Sequence, residues 1–130
     1  MTAVLGPGAH PEAGRRPDAE PWVAVCRVAD LVPERGAAAI VGDDQVALVR
    51  LLDGAVLAVD HRDPYSGARV MARGIVGTRG DVPTLASPMH KQVFDLRTGA
   101  CLDAQGDEPR ALRVWPVRVT DGVVEVRRPA

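Results

Sequence analysis

The sequence is poor in aromatic side chains, which make up 3% of its 130 residues, while 46% of the residues are hydrophobic. A core must therefore be built from Val, Leu, Ile and Ala, and abundant valine is typical of strands rather than helices. An excess of charge of one sign is also lacking, because 16 Lys and Arg face 17 Asp and Glu, for a formal net charge of −1. This balance removes the electrostatic case for a nucleic-acid partner or an anionic membrane surface.

Cysteine is scarce as well, since the chain has only Cys26 and Cys101, far apart and outside any C-x-x-C pair. No apolar run is long enough to span a bilayer, and the N-terminus lacks the basic start and apolar stretch of a signal peptide. These absences predict a cytoplasmic protein without a membrane segment, in which both thiols are reduced and buried.

The texture of the sequence changes at residue 22. Residues 1–21 combine glycine, proline, alanine and charge without a hydrophobic period, which predicts a disordered or loosely held tail. Residues 22–128 predict one domain of short apolar runs separated by turns, and Pro116 predicts an edge or a bend within one of the last strands. No stretch has the pattern of a long amphipathic helix, so the domain is expected to be all-β, an antiparallel sandwich or barrel.

The middle of the domain, residues 60–99, is rich in loops and polar side chains. Its first loop, residues 60–68, is Asp-His-Arg-Asp-Pro-Tyr-Ser-Gly-Ala. Its second loop, residues 87–99, is Ser-Pro-Met-His-Lys-Gln-Val-Phe-Asp-Leu-Arg-Thr-Gly. Loops on a rigid β-scaffold are where functional residues are commonly placed, so these two loops are the candidate site.

Both loops resemble the cluster-binding loops of Rieske proteins. The first is similar to C-P-H-R-G-A, with Pro64, Gly67 and Ala68 in register. The second is similar to C-P-x-H-G-x-x-F-D-x-x-T-G, and its matching residues are Pro88, His90, Phe94, Asp95, Thr98 and Gly99. The resemblance covers about residues 22–127 and implies a Rieske-like (ISP-type) antiparallel β-sandwich or barrel of short strands with a loop-rich subdomain like the one that binds the cluster.

The four positions at which a Rieske protein carries its iron ligands, called the ligand positions below, hold Asp63, Tyr65, Ser87 and His90 in this chain. A Rieske [2Fe–2S] centre needs two Cys and two His. Serine and a hard carboxylate are poor substitutes for thiolates, and a phenol with a pKa of about 10 is a poor substitute for imidazole. We therefore expect no bound cluster, no metal and no catalytic residue. A mononuclear metal site that uses Asp63, His61 and His90 is an open alternative.

Three stretches narrow the resemblance to the small subunit of the assimilatory NAD(P)H-dependent nitrite reductase. They are a D-P-x-S-x-A segment at residues 63–68, an R-G-I-V-G segment at residues 73–77, and His-Lys-Gln at residues 90–92 in place of the usual His-Gly. The resemblance implies that a large partner subunit carries FAD, siroheme and a [4Fe–4S] cluster and reduces nitrite to ammonium. It also implies that the small subunit has no cofactor of its own, supports the complex and is inactive alone.

Seven residues are candidates for docking on that partner: Arg73, Gly74, Ile75, Val76, Gly77, Lys91 and Gln92. Two plainer interpretations stay open, namely core packing of Ile75 and Val76 and a solvated loop tip at residues 91–92. His90 is expected to be structural, with a hydrogen bond across the loops to Asp63 or Tyr65. Two alternative functions also stay open, a Rieske-type [2Fe–2S] ferredoxin that carries electrons, and a stand-alone β-domain that binds an unrelated partner.

Overall fold

The computed structural model describes residues 20–129, so all but the last two residues of the predicted tail, 1–21, lie outside the described part of the chain. The helical structure of residues 20–129 is limited to two short 3₁₀ turns, at Val28–Asp30 and Met71–Arg73, and the remaining regular structure is β-strand. The strands, in chain order, are β1 (Val23–Arg27), β2 (Gly36–Val41), β3 (Asp44–Arg50), β4 (Val56–Asp60), β5 (Ile75–Arg79), β6 (Val82–Ala86), β7 (Val93–Asp95), β8 (Cys101–Asp103), β9 (Val114–Trp115), β10 (Val117–Thr120) and β11 (Val123–Val126).

These strands form three antiparallel sheets, which confirms the predicted fold class. The terminal sheet has the order β1-β11-β10, the central sheet β2-β3-β4-β9, and the distal sheet β5-β6-β7-β8. The distal sheet is the subdomain predicted to be loop-rich, and its strands are only three to five residues long. No helix within residues 20–129 is long and apolar enough to cross a membrane.

The sequence of strand β3 is almost continuously apolar because both faces of the strand are covered. Val46 and Leu48 pack in one core cluster with side chains of the terminal sheet, whereas Ala47 and Val49 pack in a second cluster with side chains of the distal sheet. All four residues are at most 1% exposed. A strand that is covered on both faces loses the alternation of apolar and polar residues, and the central sheet therefore forms the middle layer of the domain.

Pro116 marks the point at which the chain changes sheets. Trp115 ends β9 and pairs with Ala58 of the central sheet, whereas Val117 begins β10 and pairs with Val126 of the terminal sheet. Both β9 and β10 are edge strands. This confirms the predicted edge and bend, since a proline lacks the N–H that a central strand would donate.

The two candidate loops emerge next to each other from this scaffold. Residues 61–74 connect β4 to β5, and residues 87–92 connect β6 to β7. Because β5 pairs with β6 and β6 with β7, both loops lie at the same end of the distal sheet. The second core cluster, which includes Phe94 and Met71, lies beneath them.

Candidate functional site

The first loop is shaped around the buried side chain of Asp63. Its Oδ1 accepts a hydrogen bond from the amide of Tyr65 (2.8 Å), and its amide donates to the carbonyl of Ala68 (2.8 Å). The amide of Gly67 donates back to the Asp63 carbonyl (2.8 Å), with Gly67 at a φ of +78°. An Asp side chain that bonds the backbone two residues on, followed by a glycine in the left-handed region, is typical of a stable turn.

The second loop closes on itself in the same way. The amide of Ser87 donates to the carbonyl of Gln92 (2.9 Å), and the amide of Lys91 donates to the carbonyl of Ser87 (3.0 Å). The Ser87 hydroxyl oxygen accepts from the amide of Met89 (3.2 Å). Lys91 has a φ of +64°, which turns the chain at the tip and returns it to β7.

A single short hydrogen bond joins the two loops. The Ser87 hydroxyl donates to Oδ2 of Asp63 at 2.6 Å, and the two residues are 1% and 0% exposed. These are the two ligand positions that hold cysteine in a Rieske protein. Their side chains therefore satisfy each other, and each carboxylate oxygen of Asp63 has a donor, as a buried polar group requires.

Tyr65 occupies another of the four ligand positions, and its side chain contacts a different part of the chain. Its hydroxyl donates to the carbonyl of Glu108 (2.8 Å), accepts from the amide of Arg110 (2.8 Å) and lies 3.4 Å from Sγ of Cys101. The Arg110 guanidinium lies over its ring, 5.5 Å from the centroid. The pKa of the Tyr65 phenol is raised above its ordinary value, mainly by partial burial and to a smaller extent by the hydrogen bond with Cys101. Tyr65 therefore ties the first loop to residues 104–111.

His90, at the remaining ligand position, is exposed. The predicted hydrogen bond from His90 to Asp63 or Tyr65 is wrong, because the described bonds of these two residues go to other partners. Ser87 provides the link between the loops instead. The loop geometry sends Ser87 inward and leaves the imidazole of His90 at the surface.

His61 has a structural role that the sequence did not reveal. It is 7% exposed, and its Nδ1 accepts a hydrogen bond from the amide of Ala72 (3.1 Å). Its carbonyl accepts from the amides of Val70 and Met71. Burial, and then the positive charges of Arg73 and Arg69, lower the pKa of His61. A neutral His61, whose unprotonated Nδ1 accepts this hydrogen bond, therefore anchors the turn that leads into β5.

The predicted docking segment 73–77 divides into packed and exposed positions. Val76 packs against the second core cluster, and an added Cβ at Gly74 would overlap the carbonyl oxygen of Ala86. By contrast, Arg73 is exposed and Ile75 is 68% exposed. The core-packing interpretation therefore holds for Val76 and is wrong for Ile75, while Arg73 and Ile75 are exposed and remain docking candidates.

The interpretation of residues 91–92 as a solvated loop tip holds for Lys91 and is wrong for Gln92. Lys91 is exposed, as expected, but Gln92 is only 1% exposed because the turn at Lys91 directs it inward. Gln92 lines a cleft of about 460 Å³, and the other lining residues are Tyr65, His90, Asp107, Glu108 and Arg110. Residues 107–110 were missed by the sequence analysis, since their only signal was a polar stretch before the last strands.

The two cysteines are free, as predicted, but each is half-buried rather than buried. Burial, and then the negative charge of Asp30, raise the pKa of the Cys26 thiol. Neither lies at a ligand position. Among residues 20–129, no group of three or more His, Cys, Asp or Glu side chains is placed to hold a metal ion.

The donor set therefore does not fit the [2Fe–2S] cluster of a Rieske protein, which two thiolates and two imidazoles hold. Asp63 and Ser87 bond to each other, the Tyr65 hydroxyl bonds to residues 108 and 110, and His90 is the only imidazole at the four positions.

Comparison with known proteins shows the family of this chain. The profile of the Rieske-like [2Fe-2S] domain matches residues 21–127. The nitrite reductase (NADH) small subunit of Escherichia coli K12 is 36% identical over 107 residues, which are 82% of this chain and 96% of that protein. The nitrite reductase [NAD(P)H] large subunit of Klebsiella oxytoca is 41% identical over 106 residues, which are 82% of this chain but 11% of that protein.

A solved structure is similar as well. The crystal structure of a proposed NADH-dependent nitrite reductase small subunit from Mycobacterium tuberculosis is 46% identical, with a TM-score of 0.79 over 87% of this chain and 99% of that one. The chain belongs to the Rieske-like domain family and, within it, to the small subunits of NAD(P)H-dependent nitrite reductase.

Proposed function

We propose that this chain is a non-redox small subunit of an NAD(P)H-dependent nitrite reductase, which docks on a large subunit that reduces nitrite to ammonium. The observation that carries the proposal is the 2.6 Å hydrogen bond between Ser87 and Asp63, which occupies both thiolate positions with side chains that satisfy each other. FAD, siroheme and a [4Fe–4S] cluster belong to the large subunit in this proposal, and the isolated small chain is inactive. The proposed location is the cytoplasm, where both free thiols would stay reduced.

The proposed docking surface consists of the exposed residues at the loop end of the distal sheet. Arg73 ends the 3₁₀ turn that precedes the edge strand β5, Ile75 begins that strand, and Met89 and Lys91 lie on the second loop. Ile75 and Met89 are 68% and 47% exposed. Exposed apolar side chains flanked by two cations resemble a protein interface, in which an apolar centre has a polar rim.

The match to the Klebsiella large subunit supports a large-subunit partner. There the similar segment amounts to 11% of one long polypeptide, so this type of domain and the remainder of that large subunit occur in a single chain. A domain within a larger chain packs against a neighbouring part of that chain. A separate domain of the same type can use the corresponding surface to bind that part as a subunit.

The test is reconstitution with a purified large subunit from the same organism. We expect the full chain to co-elute with it in size-exclusion chromatography and nitrite-dependent NAD(P)H oxidation to increase. The purified small chain is expected to be colourless and to contain no stoichiometric iron or sulfide. Charge reversal at Arg73 and Lys91 (R73E and K91E) should weaken the complex, while reversal of the exposed Arg35, outside the docking surface, should not.

Three results would contradict the proposal. Separate elution, with activity unchanged by the small chain, would indicate a stand-alone domain with another partner. Iron and sulfide in stoichiometric amounts would indicate the ferredoxin alternative. Equal weakening by the Arg35 variant would show that the docking surface lies elsewhere.

A further inference from the structure

The cleft beside the second loop contains a buried amide with no partner. Both side-chain atoms of Gln92, Nε2 and Oε1, are buried and lack a hydrogen-bond partner among residues 20–129. Roughly 90% or more of buried polar groups in proteins have a partner, so an amide that lacks two is an exception that calls for an explanation. A hydrophobic residue of similar size would fill this place without the cost of desolvating an amide.

The chemistry of Gln92 defines what would complement it. A primary amide offers one acceptor oxygen and donor hydrogens side by side, and another amide presents the matching donor and acceptor. The cleft of about 460 Å³ is large enough for a side chain and its adjoining peptide group. The exposed carboxylates of Asp107 and Glu108 line it too, whereas the nearby cation of Arg110 is engaged by the Pro64 carbonyl (3.2 Å) and the Tyr65 ring.

We propose that this cleft receives a segment of the large subunit that carries an amide, paired with Gln92, next to a basic side chain, paired with Asp107 and Glu108. The inference rests on the proposed function and adds a specific contact to it. A protein segment is favoured over a free small molecule because the cleft is continuous with the proposed docking surface through His90, which lines it and adjoins Lys91. The match to part of a large subunit supports the same occupant.

The test measures binding and stability of the same variants. Gln92→Leu keeps the side-chain volume but removes the amide, and Gln45→Leu makes the same change in β3, outside the cleft. Binding of each full chain to the purified, cofactor-loaded large subunit is measured by isothermal titration calorimetry, and stability by urea unfolding. For Gln92→Leu we expect an unchanged or raised unfolding midpoint together with a dissociation constant about tenfold higher or more, because the partner's amide is left unpaired.

A second variant keeps the proposal testable if Gln92→Leu disturbs folding. The double substitution Asp107→Asn and Glu108→Gln changes exposed side chains only, and we expect weaker binding that also depends less on salt.

The outcomes separate the two proposals. If the wild-type chain does not bind the large subunit, the proposed function fails. If it binds, and Gln92→Leu binds within about twofold of wild type, water satisfies the amide and this inference is overturned. Unchanged binding by the double variant would overturn the proposal that a basic side chain of the partner pairs with Asp107 and Glu108. A loss of affinity in Gln45→Leu equal to that in Gln92→Leu would overturn the assignment of the contact to the cleft.

Discussion

The hydrogen bond between Ser87 and Asp63 is predicted to be a principal stabilising contact of the loop region. Replacing Ser87 with alanine leaves the fully buried Asp63 carboxylate with one donor, the Tyr65 amide, in place of two. A hydrogen bond to a charged group contributes about 1.5–3 kcal/mol. The amide of Met89 also loses its acceptor, which adds about 0.5–1 kcal/mol.

We therefore expect Ser87→Ala to lower the free energy of unfolding by about 2–4 kcal/mol, a large share of the 5–15 kcal/mol that is typical of a domain. Urea unfolding followed by tryptophan fluorescence measures this difference, with Trp115 as a buried probe. The matched control is Ser66→Ala, an exposed serine of the first loop that accepts only from the Ala68 amide (3.2 Å). Its effect should stay within about 0.5 kcal/mol.

A double-mutant cycle separates the contact from the effects of truncation. With Asp63→Ala, Ser87→Ala and the double variant, the coupling energy should be about 1.5–3 kcal/mol, since removing both partners costs less than the sum of the single losses. A Ser87→Ala variant within 0.5 kcal/mol of wild type, or a coupling energy near zero, would show that the two loops are held by other contacts.

Three further predictions concern other residues of the loop region. Because the pKa of His61 is lowered in the folded chain, the unfolded chain binds more protons than the folded chain below about pH 6.5. The free energy of unfolding should therefore fall as the pH drops below that value, by at most about 1.4 kcal/mol per pH unit. In urea unfolding at several pH values, His61→Gln should flatten this dependence, and the control His90→Gln should keep it. Gly74→Ala should destabilise the chain by about 1–3 kcal/mol in thermal unfolding, because the added Cβ would overlap a backbone carbonyl. The control Gly77→Ala should be tolerated, because its Cβ would make ordinary contacts and Gly77 has no positive φ. Equal stability of the two variants would contradict the packing role of Gly74. Tyr65→Phe should cost about 1 kcal/mol and increase amide hydrogen exchange in residues 104–111, and unchanged exchange there would refute the tie between these loops.

The sequence was informative wherever one residue type has one structural consequence. Pro116 could be placed at an edge because it lacks a donor, and Val124 and Val126, both 0% exposed, alternate with Glu125 as a strand with one buried face requires. The candidate loops were identified by their resemblance to the cluster-binding loops of Rieske proteins, with which Pro64, Gly67, Pro88 and Gly99 stand in register. The pattern of short strands predicted the fold class, and the resemblance gave the place of the site.

What the sequence could not supply were contacts between distant parts of the chain. The bond of the Tyr65 hydroxyl to Glu108 spans 43 residues, and no local pattern encodes it. The burial of Gln92 depends on a positive φ at Lys91, a conformation that lysine seldom adopts and that the tertiary structure imposes. The interaction of His61 with the Ala72 amide likewise depends on the route of the intervening loop.

The substitutions at the ligand positions explain how a cluster-binding shape can persist without a cluster. In a Rieske centre, thiolates and imidazoles from two loops are joined through the iron atoms. Here the Ser87 hydroxyl and the Asp63 carboxylate join the same two loops directly, and the pair is buried as completely as an apolar core residue. Because Ser87 and Asp63 are 1% and 0% exposed, neither side chain is available to a partner. The surface proposed to recognise a partner therefore lies around this pair, and it includes Lys91 and the cleft beside Gln92.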